Sequence, residues 1–350
     1  MRGTKNKVIG WLCRGKALFL HSKTSQHMKS DLRIIYMGTP DFAVPALNRL
    51  LAENYNVVGV VTTPDRAIGR HHEALQACPV KKFAEAHGLP VLQPERLKDE
   101  SFLADLRALK ADLQVVVAFR MLPEAVWDMP RLGTFNLHAA LLPQYRGAAP
   151  INWAVINGES ETGLTTFFLD HQIDTGRIIL QERVPIGETD TAGDVHDRLM
   201  MLGADLVQRT VDLITQGQAT STPQEQFLTD APLHPAPKIF HETCQIHWNS
   251  LTTRKAYDFI RGLSPYPAAW TTLRMPTGIA STIKIFHTSY HLQTQTLPAG
   301  TLITDGKSDL RVILPDGYLS IMELQLAGKK RMSVADFLRG THIEGAHFTD

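Results

Sequence analysis

Residues 32–63 read LRIIYMGTPDFAVPALNRLLAENYNVVGVVTT, and this stretch sets the architecture. Leu32 to Met37 is an almost unbroken apolar run without alternation, the mark of a strand buried on both faces, and Gly38-Thr39-Pro40 stops it. A helix follows, with Asp41 available as its N-cap and Leu47, Leu50 and Leu51 on one face. A second apolar run, Asn56 to Thr63, is another strand. Strand, helix and strand in that order, with wholly apolar strands, predict a parallel sheet covered by helices on both sides. Gly38-Thr39-Pro40 lacks the GxGxxG spacing of a dinucleotide loop and reads as a tight turn.

Upstream, residues 1–30 carry Lys and Arg but no Asp or Glu. They are expected to be an N-terminal extension, either disordered or the product of an over-extended start, with Met28 as a second initiation site. Downstream, Thr63 to Val80 is a long irregular stretch with Arg66 and Arg70 as its firmest positive charges; loops of that length are usually functional or disordered. Its His71-His72-Glu73 cluster is not expected to hold a metal, since adjacent His side chains seldom converge on one ion. Helices over Val80–His87 and Ser101–Lys110, a central strand at LQVVVAF and a strand at Thr134–His138 continue the α/β pattern. Two strands joined by a turn over Asp170 to Gly176 follow, and a long helix over Thr191–Ile214 covers the sheet.

Gly217 to Pro237, rich in Thr, Gln and Pro without periodicity, is expected to be a linker. Beyond it lie a helix near Thr252–Arg261, short alternating strands separated by Gly and Asp turns, and the basic run GKKRM. These predict a small, OB-like β-barrel. The expected organisation is therefore an extension (1–30), a Rossmann-like, mostly parallel α/β domain (31–216), a linker (217–237) and a C-terminal β-barrel (238–350).

At 350 residues, 43% hydrophobic and 20% charged, the chain suits two domains with proper cores. No apolar run approaches the roughly 20 residues that cross a bilayer. Three scattered cysteines, Cys13, Cys78 and Cys244, make neither a disulfide framework nor a metal knuckle, which suits a reducing, cytoplasmic setting. A net charge of +1 does not announce a nucleic-acid binder, although it can conceal a basic face.

The chemistry concentrates in Asn136 to Pro150, NLHAALLPQYRGAAP. Asn136 and His138, two residues apart on an extended segment, point to one face. An Asn offers an amide N–H to a developing oxyanion, and a His moves a proton near neutral pH. A carboxylate to orient the imidazole would come from the following turn, where Asp174 and Asp170 compete. Such a set suits attack of an amine on a carbonyl-level carbon, and no Ser or Cys is placed for a covalent intermediate. Without further knowledge these residues fit hydrogen-bonded loop positions as well as catalytic ones.

This segment, with Asp174-Thr175-Gly176 thirty-odd residues on, resembles the signature of the folate-dependent formyltransferases. MGTPDFAVPAL, TTPDR, LPVLQPERLK, YRGAAPINWAVINGE, RGLSPYPAAWT and LQLAGKKRMSVADFLRG extend the resemblance from Arg33 to Gly340 and point to the branch acting on methionyl-tRNA. The resemblance implies formyl transfer from 10-formyltetrahydrofolate to the α-amino group of initiator methionyl-tRNA, with no metal and no obligatory protein partner. It implies that Asn136 stabilises the oxyanion, His138 transfers the proton and Asp174 holds His138 and an ordered water. Ala140, Leu141, Leu142 and Pro143 match the folate-binding segment, with Arg146 and Gly147 beside the pocket. Arg66 and Arg70 fall in the loop that enters the acceptor stem, and Lys329, Lys330 and Arg331, with Lys255, are expected to contact tRNA phosphates. Three departures stand out: Ala140 replaces the usual Ser, the loop after Arg70 has HHEALQAC where relatives carry extra lysines, and VVVAFRMLPE is one residue short, with Arg120 near the pocket. The rival readings are formyl transfer to a small amine, a sugar nucleotide or purine precursor, and a tRNA-binding protein without catalysis.

Overall fold

The structure is a computed structural model that describes residue 29, residues 31–68 and residues 74–350. The expectations for residues 1–28, Gly69, Arg70 and His71-His72-Glu73 fall outside the described residues. Packing divides the chain into two compact units, neither contiguous in sequence. One takes residues up to His138 with Thr165–Gln181 and Met200–Gln226; the other takes Ala139–Leu164, Glu182–Leu199 and Phe227–Asp350.

The first unit is built on the sheet that residues 32–63 begin. Arg33–Gly38 (β1) and Asn56–Val61 (β2) flank the helix Val44–Ala52; Arg66–Ile68 (β3) and Ala74–Gln76 (β4) come next, then Val91–Leu92 (β5), Leu113–Val117 (β6), Thr134–His138 (β7), Glu161–Phe168 (β8) and Ile178–Pro185 (β9). The strand order is β5-β2-β1-β6-β7-β8-β9. β1 pairs in parallel with β2 and β6, and β6 with β7; β8 runs antiparallel to β7. The chain winds outward from β1 to β5 and then returns to the other side of β1, so the direction of winding reverses between β1 and β6. Ligands of open α/β sheets bind beyond the carboxyl ends of strands at such a reversal. All five residues of β6 are buried, the polar Gln114 among them. Ile35, Met37, Val61, Phe102, Leu106, Val116 and Val126 make one core face, each side chain contributing about 1.5–3 kcal/mol by its burial.

Two local expectations change. Asp41 does not cap the helix: Asp41–Ala43 form a 3-10 turn with Pro40 in the capping position, and the α-helix starts at Val44 with Pro45 in its first turn. Proline lacks an N–H and is at ease only in a first turn, so Pro45 places the start later than Asp41. The stretch after Thr63 is not wholly irregular, since β3 and β4 pair as an antiparallel hairpin; three-residue strands leave too little alternation to read.

The second unit contains an antiparallel barrel. Ala269–Arg274 (β10), Ala280–Leu292 (β11), Leu302–Thr304 (β12), Leu310–Leu314 (β13), Gly317–Leu326 (β14), Met332–Ser333 (β15) and His347–Thr349 (β16) run in the order β12-β13-β14-β11-β10-β16, with β15 on β14. A bridge between Thr301 and His347 and a 2.9 Å bond from Phe348 N–H to the Gly300 carbonyl bring the two edges together. The barrel is thus nearly closed, which hides strand edges that would otherwise pair with other chains. Trp248, Ile246, Ile283, Ile285, Val312, Leu319 and Phe348 fill it.

Residues 217–237 are not free chain. Gln224 and Ala236 are buried; Ala236 donates its N–H to the Arg146 carbonyl, and its own carbonyl accepts from the N–H groups of Ala148 and Ala149. Lack of periodicity excludes a regular helix or alternating strand, but it is silent on backbone pairing with a distant segment. No helix among the described residues is long and apolar enough to cross a membrane.

Candidate active site

Asn136 and His138 sit at the carboxyl end of β7, opposite Phe167 and Thr165 of β8. The two-residue period sets both on one face, while Phe135 and Leu137 are buried on the other. His138 is only 6% exposed and Asn136 is half-buried. Asp174 comes from the turn between β8 and β9, and its Oδ2 lies 3.9 Å from His138 Nδ1. That is ion-pair reach but longer than a hydrogen bond; catalytic contacts often tighten only with substrate bound.

The turn explains why these residue types occur together. Asp174 has φ of +55°, a left-handed conformation that Asp tolerates better than most. At Gly176 a Cβ would stand 1.7 Å from the Phe168 carbonyl oxygen, so only glycine fits. Asp170 is engaged within the turn: its Oδ1 accepts from Gln172 N–H at 3.0 Å and from the Thr175 hydroxyl at 2.8 Å. Asp170 builds the turn, and Asp174 faces the imidazole.

In the second unit, Ala140, Leu142 and Pro143 are buried, while Leu141, Arg146 and Gly147 keep part of their surface. The space for Leu141 depends on Gly163, where a Cβ would stand 2.5 Å from Leu141 Cδ2 and 2.2 Å from the Glu182 carbonyl oxygen. Tyr145 donates its hydroxyl to Glu159 at 2.6 Å and accepts from Asn157 Nδ2 at 3.1 Å. Burial first, and the Glu159 bond second, hold this phenol well above its ordinary pKa. Gly147 has φ of +128°, and a Cβ there would stand 2.4 Å from the Ala236 carbonyl oxygen. The Arg-Gly pair thus owes its glycine to a close backbone approach. Gly147→Ala is expected to lower stability by about 1–3 kcal/mol, read as a shift of the denaturant midpoint; an unchanged midpoint would remove this reading.

Arg120 is a brace: its guanidinium donates to the carbonyls of Glu95, at 2.9 Å, and Pro94. Arg66 is exposed at the start of β3, Lys329 and Lys330 are exposed on the turn between β14 and β15, and Lys255 is exposed on the helix Thr253–Leu263. Arg331 differs from its neighbours, because it pairs with Glu323 and lies 4.5 Å over the Phe286 ring. Among the described residues no group of three or more His, Cys, Asp or Glu is placed to hold a metal ion.

Two clusters escaped the sequence reading. Asp258 receives Arg254 Nε and Arg261 Nε, each at 2.7 Å; the signal was available in the i, i+4 and i, i+3 spacing of these charges. Gln224, in the stretch read as linker, donates its side-chain amide to the carbonyls of Asp174 and Gly176, each at 2.9 Å; no pattern marked it.

The formyl transferase family profile matches residues 32–211, and that of the formyl transferase C-terminal domain matches residues 238–342. The methionyl-tRNA formyltransferase of Bacteroides fragilis is 60% identical over 318 residues, 91% of this chain and 98% of that protein. That of Parabacteroides distasonis is 60% identical over 89% of this chain and 96% of its own. Among solved structures, a sugar 3N-formyl transferase superposes with a TM-score of 0.60 at 18% identity, covering 85% of this chain and 99% of that one. An N-formyltransferase from Helicobacter canadensis gives 0.55 at 17% identity, covering 86% and 100%; identities this low show the fold alone. With both domain profiles matched and relatives this similar along nearly their whole length, the chain belongs to the formyl transferase family, in the group of the methionyl-tRNA formyltransferases.

Proposed function

We propose that this chain transfers the formyl group of 10-formyltetrahydrofolate to the α-amino group of initiator methionyl-tRNA, in the cytoplasm. The observation that carries the chemistry is the pairing of His138 with Asp174 at the end of β7, with Asn136 on the same face. The acceptor is supported by the 60% identity to methionyl-tRNA formyltransferases, which extends through the barrel.

The formyl donor fits the residues present. Leu141, given room by Gly163, offers partly exposed apolar surface to a ring system, and Arg146 carries a cation for carboxylates; these two would hold it. The donor supplies the carbonyl-level carbon. The amine nitrogen forms a bond to that carbon as the carbon's bond to the folate nitrogen breaks. Asn136 donates an amide N–H to the oxygen as charge gathers there. His138 takes the proton that the amine loses and passes it to the departing nitrogen, while Asp174 keeps the ring oriented.

Purified protein with 10-formyltetrahydrofolate and initiator methionyl-tRNA is expected to yield formylmethionyl-tRNA. Turnover of a small amine with no product from the tRNA would overturn the acceptor. Arg66, Arg70, Lys255, Lys329, Lys330 and Arg331 are assigned to tRNA phosphates, Arg331 also being tied to Glu323. Lys329→Ala with Lys330→Ala is expected to weaken tRNA binding and to reduce the slope of log affinity against log salt by about 1 per lost contact. The KM for the formyl donor stays unchanged; an unaltered salt slope would remove the turn from the tRNA surface.

A further inference from the structure

Gln224 lies in the stretch between the two family-matched regions, yet it is 2% exposed. Its Nε2 donates to the carbonyl oxygens of Asp174 and Gly176, at 2.9 Å each. A primary amide nitrogen carries two hydrogens, so one Gln side chain serves both acceptors. An acid, an alcohol or a shorter amide of the same chain could not do so. The two carbonyls bracket Thr175, hence the short segment whose conformation decides where the Asp174 carboxylate points. That segment holds a non-glycine residue at φ +55°, a conformation that costs free energy and persists only where neighbours over-determine it. On one side Gly176 is pressed against the Phe168 carbonyl; on the other stands Gln224. Next along the chain toward the first unit's sheet, Thr222 exchanges 2.8 Å backbone bonds with Ile178 of β9, which anchors the segment from which Gln224 reaches.

We infer that Gln224 is a positioning residue for formyl transfer, clamping the backbone of Asp174 and Gly176 so that the Asp174 carboxylate faces His138. This rests on the assignment of Asp174 and His138 to catalysis. Gln224 touches neither substrate in this account and acts only through the turn. A carboxylate at 3.9 Å must close on the imidazole to hydrogen-bond it, so a small displacement away removes that contact, and misplacements of about 1 Å can cost on the order of 100-fold in rate.

The test uses the full chain and steady-state kinetics on methionyl-tRNA. Gln224→Met, which keeps the length and loses both donors, is expected to lower kcat by about 10- to 100-fold with KM for both substrates within about twofold. Gln224→Glu, of the same shape but presenting acceptors to two carbonyls, is expected to do the same, and it serves if the Met variant does not fold. Asp174→Asn is measured alongside, alone and combined with the Gln224 change. Non-additivity, the double variant losing little more than Asp174→Asn alone, marks action through Asp174. Wild-type kcat in a folded Gln224 variant, a rise in KM with kcat kept, or simple additivity would overturn the inference. Wild-type kcat in Asp174→Asn would instead overturn the catalytic assignment on which it stands.

Discussion

His138→Ala is expected to lower kcat for formylation by about 10²- to 10⁴-fold, the usual contribution of a positioned general acid-base group. That corresponds to roughly 3–5 kcal/mol of transition-state stabilisation. The loss should fall on kcat and leave the KM values nearly unchanged, because in the proposed role the ring moves a proton and supplies little of the binding. The imidazole is buried at 6% exposure, so solvent is poorly placed to take over the transfer. Asn136→Ala should cost about 10²–10³ by loss of one donor to the developing oxyanion. The two losses should combine sub-additively, since both act on the same step. Near-normal turnover of His138→Ala, measured with saturating substrates, would end its assignment and move the proton to a group outside this set.

Asp258→Ala should destabilise the second unit strongly, by about 3–5 kcal/mol. Asp258 and Arg261 have side-chain exposures of 6% and 5%, so removal of the carboxylate leaves a guanidinium buried without its charge partner. Arg261 Nη1 also donates to the Asp190 carbonyl at 2.8 Å, which prevents it from swinging out to water without losing a second bond. Arg254, on the other oxygen of Asp258, reaches Glu188 at 2.8 Å and tolerates the loss better. Replacing Asp258 and Arg261 together by Leu and Met should cost less than Asp258→Ala alone, because desolvation is then avoided at both ends. Denaturant unfolding followed by tryptophan fluorescence measures both; a shift below about 1 kcal/mol for Asp258→Ala would show that the pair is solvated in solution.

The parallel sheet was legible because β1, β2 and β6 are runs of apolar residues too long for turns and too regular for chance, and helices separate them. That Asn136 and His138 share one face of a strand was legible from their two-residue spacing. Which of Asp170 and Asp174 lies near the imidazole was not, because both are exposed-type residues in one turn; only the structure shows Asp170 bonded to Gln172 and Thr175 and Asp174 Oδ2 3.9 Å from His138. The Asp41 cap failed because a proline four residues on outweighs a capping side chain. The hairpin of β3 and β4 was hidden by its length. Gln224 and Ala236 were hidden for a different reason: their partners, Asp174 and Arg146, are 50 and 90 residues away, and no local pattern encodes a bond between distant turns.

Because the chain passes between the two units at residues 138/139, 164/165, 181/182, 199/200 and 226/227, the first unit is not complete on a ribosome until two segments of the second have been made, and the second not until the whole of the first has been. β7 ends at His138 and its antiparallel neighbour β8 ends at Phe168. At roughly 5–20 residues per second, the free edge of β7 therefore waits roughly 2–6 s for its partner strand. During that interval a nascent chain offers an unpaired, largely apolar strand edge to its neighbours on the same polysome. The yield of soluble protein from rapid expression should depend on this waiting time and on chaperone supply, and a slower translation rate through residues 139–168 would not relieve it but lengthen it.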